Sequence, residues 1–217
     1  MTYTVKEIFF TRQGEGANTG RRAVFCRFTG CNLWTGRETD RGSAVCQFCD
    51  TDFVGVGPDG GRFATAAELA AAVHAQWPAD IAPHDRTRPL VVCTGGEPLL
   101  QLDTAAIEAL HAAGFEVAVE TNGTQVPPAG IDWLCVSPKA DAALVVTTGQ
   151  ELKLVYPQVQ ADAQPERFAH LAFAHFFLQP MDVPGRTAAN TAAAEQYCAA
   201  HPRWQLSRQM HKQWGIR

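Results

Sequence analysis

No apolar run in this 217-residue chain approaches the roughly 20 residues that a membrane-spanning helix needs. The opening MTYTVKEIFF has no leader pattern, so a cytoplasmic protein is expected. Basic charge is also scarce: 18 Lys and Arg stand against 22 Asp and Glu, a formal net charge of -4. With Arg21-Arg22 as the one basic cluster, there is no field to hold a nucleic-acid backbone. The histidines show no HxH, HExxH or HxxxH spacing, so no histidine metal site is expected. Repeats, low-complexity tracts and linkers are missing as well. With 46% hydrophobic and 18% charged residues, a single globular domain over residues 1–217 is expected. Cysteines number seven, an odd count that does not suit a secreted disulfide scaffold and points to a reducing compartment.

What is present is an alternation of strands and helices. TYTVKEIFF, RAVFCRFTG, PLVVC, EVAVE, WLCVS, ELKLVY, HFFLQ and RWQLSR have the β-branched and aromatic content of strands. ATAAELAAAVHAQW is predicted helical, opened by Thr65 with Glu68 three residues on. DTAAIEALHAAG is predicted to start at Asp103 as N-cap and stop at Gly114. TAANTAAAEQYCAA gives a late helix, and VGVGPDGGRF a surface loop. Gly55, Gly57 and Gly60 in that loop match GxGxxG, but Pro58 intervenes and no helix follows directly, so no dinucleotide site is expected.

Four apolar strands each finish in a polar turn: PLVVC in TGGEP, EVAVE in TNG, WLCV in SPK and HFFL in QPMD. In barrel-like α/β folds the C-terminal strand ends share the rim that holds the active site. A complete barrel typically takes about 250 residues. The expected fold is therefore α/β, a partial, incomplete TIM-like barrel of about six mostly parallel strands with few helices, the cysteine loop at its C-terminal rim.

Cys93, Cys135 and Cys198 sit in apolar patterns and read as small buried hydrophobes. In CNLWTGRETDRGSAVCQFCDT, by contrast, Cys31, Cys46 and Cys49 combine one CxxC pair with a distant third thiol. A structural zinc site wants four ligands. Cys26 is a poor fourth, because strand alternation places it with Val24 and Phe28 and puts Arg27 on the opposite face, with the cysteine loop. A redox CxxC would leave Cys31 without a purpose. Three thiolates suit a [4Fe–4S] cluster with one iron left open for a small molecule. A zinc-binding module is the non-enzymatic alternative.

With RQGEG, CxxCDT, TGGEP, ETNG, SPK and QPMD in this order, the chain resembles the radical S-adenosylmethionine superfamily. Within it, the closer resemblance is to the 7-carboxy-7-deazaguanine synthases. It departs from the superfamily's CxxxCxxC by fourteen residues between Cys31 and Cys46, read as an insertion (TGRETDRGSA).

The resemblance implies a [4Fe–4S] cluster on Cys31, Cys46 and Cys49, S-adenosylmethionine on the open iron, and Mg²⁺ at Thr51. S-adenosylmethionine would meet Phe48, Gly96, Ser137, Pro138, Lys139, Gln179, Pro180, Met181 and Asp182. The implied substrate is 6-carboxy-5,6,7,8-tetrahydropterin, held by Arg12, Gln13, Gly14, Glu15, Arg27, Thr94 and the last residue of the sequence, Arg217, so that the tail would fold over the pocket. Glu15 and Glu120 are available for proton transfer, with no assignment between them. The resemblance further implies an external one-electron donor, flavodoxin- or ferredoxin-like, and a homodimer. A radical activase acting on a protein partner is the rival enzyme class, sharing CxxC and GGEP.

Overall fold

The computed structural model describes residues 2–80 and 88–217. All eight expected strand runs join one sheet: β1 (Tyr3–Arg12), β2 (Arg22–Phe28), β4 (Leu90–Gly95), β5 (Glu116–Thr121), β6 (Trp133–Val136), β7 (Thr148–Tyr156), β8 (Ala172–Pro180) and β9 (Trp204–Leu206). A ninth strand, β3 (Gly61–Phe63), lies in the segment expected to be loop throughout. It pairs antiparallel with the start of β1, Tyr3 facing Phe63, so tertiary pairing overrides its glycine-rich composition.

The order is β3-β1-β2-β4-β5-β6-β7-β8-β9. From β2 to β9 every pairing is parallel, while β1 runs antiparallel to β2 and to β3. The sheet is open, with β3 and β9 as its edges. The partial-barrel expectation is met as an open, mostly parallel sheet with few helices, widened by the three-residue edge strands β3 and β9.

Among the described residues four α-helices accompany it: α1 (Ala66–Ala75), α2 (Thr104–Ala112), α3 (Thr187–Ala200) and the short α4 (Met210–Trp214), the last not anticipated. Thr65 caps α1 by accepting from the Glu68 amide at 3.2 Å. Glu68 returns the bond to the amide of Ala64, one residue before the cap. Asp103 caps α2 through the Ala106 amide at 2.9 Å. Gly114 leaves that helix at φ +92°, as a glycine stop should.

One face of the sheet carries the main core. Val24, Cys26 and Phe28 of β2, Val91 and Cys93 of β4, and Leu152 and Leu154 of β7 pack with Leu69 and Val73 of α1 and Ile107 and Leu110 of α2. The other face holds a smaller apolar cluster, Ala23, Leu90, Val92 and Ala118. Beyond that cluster, toward the C-terminal strand ends, it turns polar. β1 changes parity on the way: its register against β2 shifts between Val5 and Glu7, a bulge at Lys6. Tyr3 and Val5 before the bulge, and Ile8 after it, all point into the core. Glu7 and Phe9 are thereby turned to the polar face.

Candidate active site

A cavity of about 450 Å³ opens where the parallel strands end. It is lined by Thr94, Gly95 and Gly96 after β4, Thr121 and Asn122 of ETN, Ser137 and Lys139 of SPK, and Gln179 at the end of β8. The four strand-end turns thus meet in one place, as their sequence positions suggest.

The cysteine loop forms the opposite wall. Cys31, Cys46 and Cys49 all line the cavity. The insertion between Cys31 and Cys46 closes on itself: the amides of Val45 and Cys46 donate to the Leu33 carbonyl at 3.1 and 3.5 Å. The chain therefore returns to a point two residues past Cys31, and the extra residues form a lobe outside the site, with a 3-10 helix at Glu38–Ser43. Arg41 pins the lobe, donating to the carbonyls of Gln47 and Cys49 at 2.8 and 2.9 Å and lying 4.1 Å over the Trp34 ring.

Cys93 and Cys135 are buried as expected, and so is Cys26, whereas Cys198 is only half-buried. All seven cysteines are free. Among the described residues, no three or more His, Cys, Asp or Glu side chains surround a single-ion position. A hydrogen bond from Cys46 brings the Cys49 thiol down to about 6, helped by the Thr51 amide, whereas burial raises Cys31. A near-thiolate between two thiols on an open cavity wall is a donor set that suits iron–sulfur ligation.

Glycine is required where the walls approach. A Cβ on Gly96 would sit 2.8 Å from the Cys31 Cβ, inside contact distance. Next to it, Glu97 is fully buried and accepts from the Leu99 amide (3.0 Å), the Thr121 hydroxyl (2.8 Å) and the Asn122 amide (2.8 Å). Glu97 therefore ties the TGGEP turn to the ETN turn. Asn122 in turn donates to Asn32 of the cysteine loop at 3.0 Å. Lys139 donates to the Ser137 carbonyl and hydroxyl, both at 2.6 Å, and burial lowers its pKa.

The floor is charged. Lys153 of β7, 4% exposed, binds Glu15 at 2.5 Å and Glu120 at 3.3 Å. Gln179 and Gln209 donate to Glu15 at 3.2 and 3.1 Å, and Gln13 to Glu120 at 2.8 Å. Burial would depress Lys153, but Glu120 and Glu15 outweigh it and hold the ammonium well above the usual lysine range. Burial would likewise raise Glu15, but Lys153 wins and keeps it a carboxylate.

Of the residues expected at the site, Arg12, Gln13, Gly14, Glu15, Arg27, Cys31, Cys46, Cys49, Thr51, Thr94, Gly96, Ser137, Lys139, Gln179 and Arg217 line the cavity. Phe48, Pro138, Pro180, Met181 and Asp182 are not among its lining residues. Asp182 is exposed and occupied by Lys212 (2.6 Å) and Thr187 (2.7 Å). Arg217 reaches the cavity, yet its guanidinium is engaged with Glu7 and with Asp59 at 3.0 Å. Sequence reasoning missed Glu7, Lys153, Gln209 and His211. The signal for Lys153 was available: a lysine amid ELKLVY, in a strand flanked by others, can only face a polar site. Gln209, His211 and Lys212 line the cavity, with the Met210 amide on the Gly14 carbonyl at 2.9 Å. A Cβ on Gly14 would lie 2.8 Å from the His211 backbone nitrogen, so this close packing requires glycine there.

No protein-family profile matches the chain. Curated relatives do, over its full length. It is 66% identical to a 7-carboxy-7-deazaguanine synthase of Caulobacter vibrioides and 65% identical to one of Bordetella pertussis, covering 100% of both chains in each case. The chain belongs to the 7-carboxy-7-deazaguanine synthase family. Among solved structures it is similar to QueE from Escherichia coli, with a TM-score of 0.69 at 27% identity, over 96% of this chain and 94% of that one. The resemblance carried by the ordered motifs is borne out. Membership of this radical S-adenosylmethionine family implies a [4Fe–4S] cluster and S-adenosylmethionine as cofactors, and the thiol-lined wall suits them. No helix among the described residues is long and apolar enough to cross a membrane.

Proposed function

We propose that this cavity converts 6-carboxy-5,6,7,8-tetrahydropterin to 7-carboxy-7-deazaguanine with loss of ammonia, a radical ring contraction in queuosine and 7-deazapurine biosynthesis. One observation carries the reading. Three thiols, an arginine on the opposite strand face from the core, and a Glu–Lys–Glu cluster centred on the buried Lys153 line one cavity of ligand size. The relatives that span the whole chain carry the name of this activity.

Cys31, Cys46 and Cys49 would hold the cluster. When bound, the cluster and S-adenosylmethionine would supply the one-electron radical chemistry that acts at C6 of the pterin. Gly96 would let that cofactor approach the turn and Ser137, Lys139 and Gln179 would offer polar groups beside it, while Phe48, Pro138, Pro180, Met181 and Asp182 would reach it from outside the present lining. The Thr51 hydroxyl would give Mg²⁺ one oxygen ligand, completed by water and the substrate carboxylate, in keeping with magnesium's habits. Arg27 would bind that carboxylate. Gln13, Gly14 and Glu15 would meet the polar edge of the pterin, with Arg12, Thr94 and Arg217 around it. Lys153 keeps Glu15 a carboxylate and binds Glu120 beside it, so the floor would present a fixed ammonium with hydrogen-bond acceptors on either side.

The chain would act as one catalytic unit in a reducing cytoplasm, which suits seven free cysteines. It would draw its electron from a flavodoxin- or ferredoxin-like donor and pair as a homodimer. The protein-activase reading is disfavoured by the synthase relatives, which span the whole chain. Incubation with the carboxytetrahydropterin, S-adenosylmethionine, Mg²⁺ and a reductant should yield the deazapurine. Formation of 5′-deoxyadenosine without any deazapurine would exclude this substrate.

A further inference from the structure

Glu7 owes its position on the cavity wall to a specific irregularity. Without the bulge at Lys6, Glu7 would share the face of Tyr3 and Val5 and enter the apolar core. The bulge is supported from outside: the Lys6 carbonyl accepts from the Gly57 amide at 2.9 Å, and the Ile8 amide donates to the Asp59 carbonyl at 2.8 Å. Once re-aimed, Glu7 lies directly across the β1–β2 ladder from Arg27.

The contact it makes is one-sided. Glu7 Oε1 accepts from Arg27 Nε at 2.7 Å. Neither terminal amino group of Arg27 hydrogen-bonds to another described residue, and both residues line the cavity. The other carboxylate oxygen, Oε2, accepts from Arg217. Arg217 is held further by Asp59, by the Thr11 hydroxyl on its carbonyl (2.7 Å), and by the Phe9 ring 4.5 Å beneath its guanidinium. A guanidinium gripped at Nε keeps its two-pronged end free, and that end matches a carboxylate bidentately.

We propose that Glu7 is a positioning residue for carboxylate recognition, fixing Arg27 by Nε so that its Nη1 and Nη2 edge receives the substrate carboxylate, and coupling that arginine to the C-terminal segment through Arg217. The proposal rests on Arg27 being the carboxylate-binding residue. A lone exposed arginine on a strand would sample several rotamers, whereas Glu7 pre-orients this one and removes an ordering cost from binding.

The test is a set of binding titrations on the reconstituted holoenzyme with two probes, 6-carboxypterin and pterin lacking the carboxylate. Glu7→Gln should weaken 6-carboxypterin by about tenfold, one charge-assisted orienting bond, and leave pterin unchanged. Glu7→Asp should recover part of the loss. In an Arg27→Ala background, Glu7→Gln should add nothing further. Equal weakening of both probes, no weakening of 6-carboxypterin, or an additive effect on top of Arg27→Ala would each overturn the role of Glu7 while leaving the substrate reading intact. Arg27→Ala binding 6-carboxypterin as well as the parent would overturn both.

Discussion

β7 presents two different molecules to its two sides. Leu152 and Leu154 are fully buried in the main core, where well-packed aliphatic contact is all that is asked of them. Glu151 and Lys153, alternating with them, are 3% and 4% exposed but face the cavity side and its approaches. Glu151 accepts from the Ala17 amide at 3.2 Å, and burial raises its pKa. The core face gains free energy by removing apolar area from water. The cavity face spends part of that gain on desolvated charges, which repay it only as a complete set. Stability and chemistry are thus divided by the two-residue period of a strand.

The sharpest way to break that division is to substitute adjacent residues. Leu154→Ala should cost about 3 kcal/mol in chemical denaturation through the cavity it leaves. Its turnover per folded molecule should stay near the parent value. Lys153→Met should lower turnover by about a hundredfold even where the cluster loads fully. It should also destabilise by about 3 kcal/mol, because Glu15 and Glu120 lose their cation. If Leu154→Ala lost activity without losing stability, the division would be wrong.

How far the sequence reveals this division differs along the chain. The strands, the capped helices and the gathering of TGGEP, ETNG, SPK and QPMD were readable, because period-two alternation and punctuated strand ends are local signals. The fate of the insertion was not. Its closure depends on Leu33 receiving amides from residues twelve and thirteen positions on, and on Arg41 stacking over Trp34. Composition alone cannot reveal either contact. Glu7 was hidden for a different reason: simple alternation from Tyr3 and Val5 puts it on the core face, and the bulge that moves it leaves no mark in VKEIFF. β3 was missed because glycine-rich edge strands have no side-chain pattern to display.

A smaller effect sharpens the chemistry of the cavity wall. Thr51→Ala should leave the cluster loaded and weaken magnesium by about tenfold, read as the shift in magnesium dependence of turnover. An unchanged dependence would remove Thr51 from the metal site.

The mildest test uses pH. The pKa of Glu15 is held below the ordinary glutamate value of 4.5, so its contribution to stability is complete above that value and is lost as pH falls through the lower, folded one. Lys153 is held above the ordinary lysine value of 10.5, so its share is complete below that value and is lost only as pH rises through the higher, folded one. Between those limits the pair should contribute a flat plateau. Glu15→Gln should make the acid limb shallower, whereas an unaltered acid limb would place the pair outside the stability balance.

The thiols allow the most direct test of the account as a whole. Iron and acid-labile sulfide can be counted in anaerobically reconstituted variants that differ by one cysteine. Cys26→Ala and Cys93→Ala, on the apolar face, should keep about four of each per chain, whereas Cys31→Ala, Cys46→Ala and Cys49→Ala should each fall far below that. Retention of a full complement by any of the last three, or its loss in Cys26→Ala, would contradict a cluster held by the cavity wall.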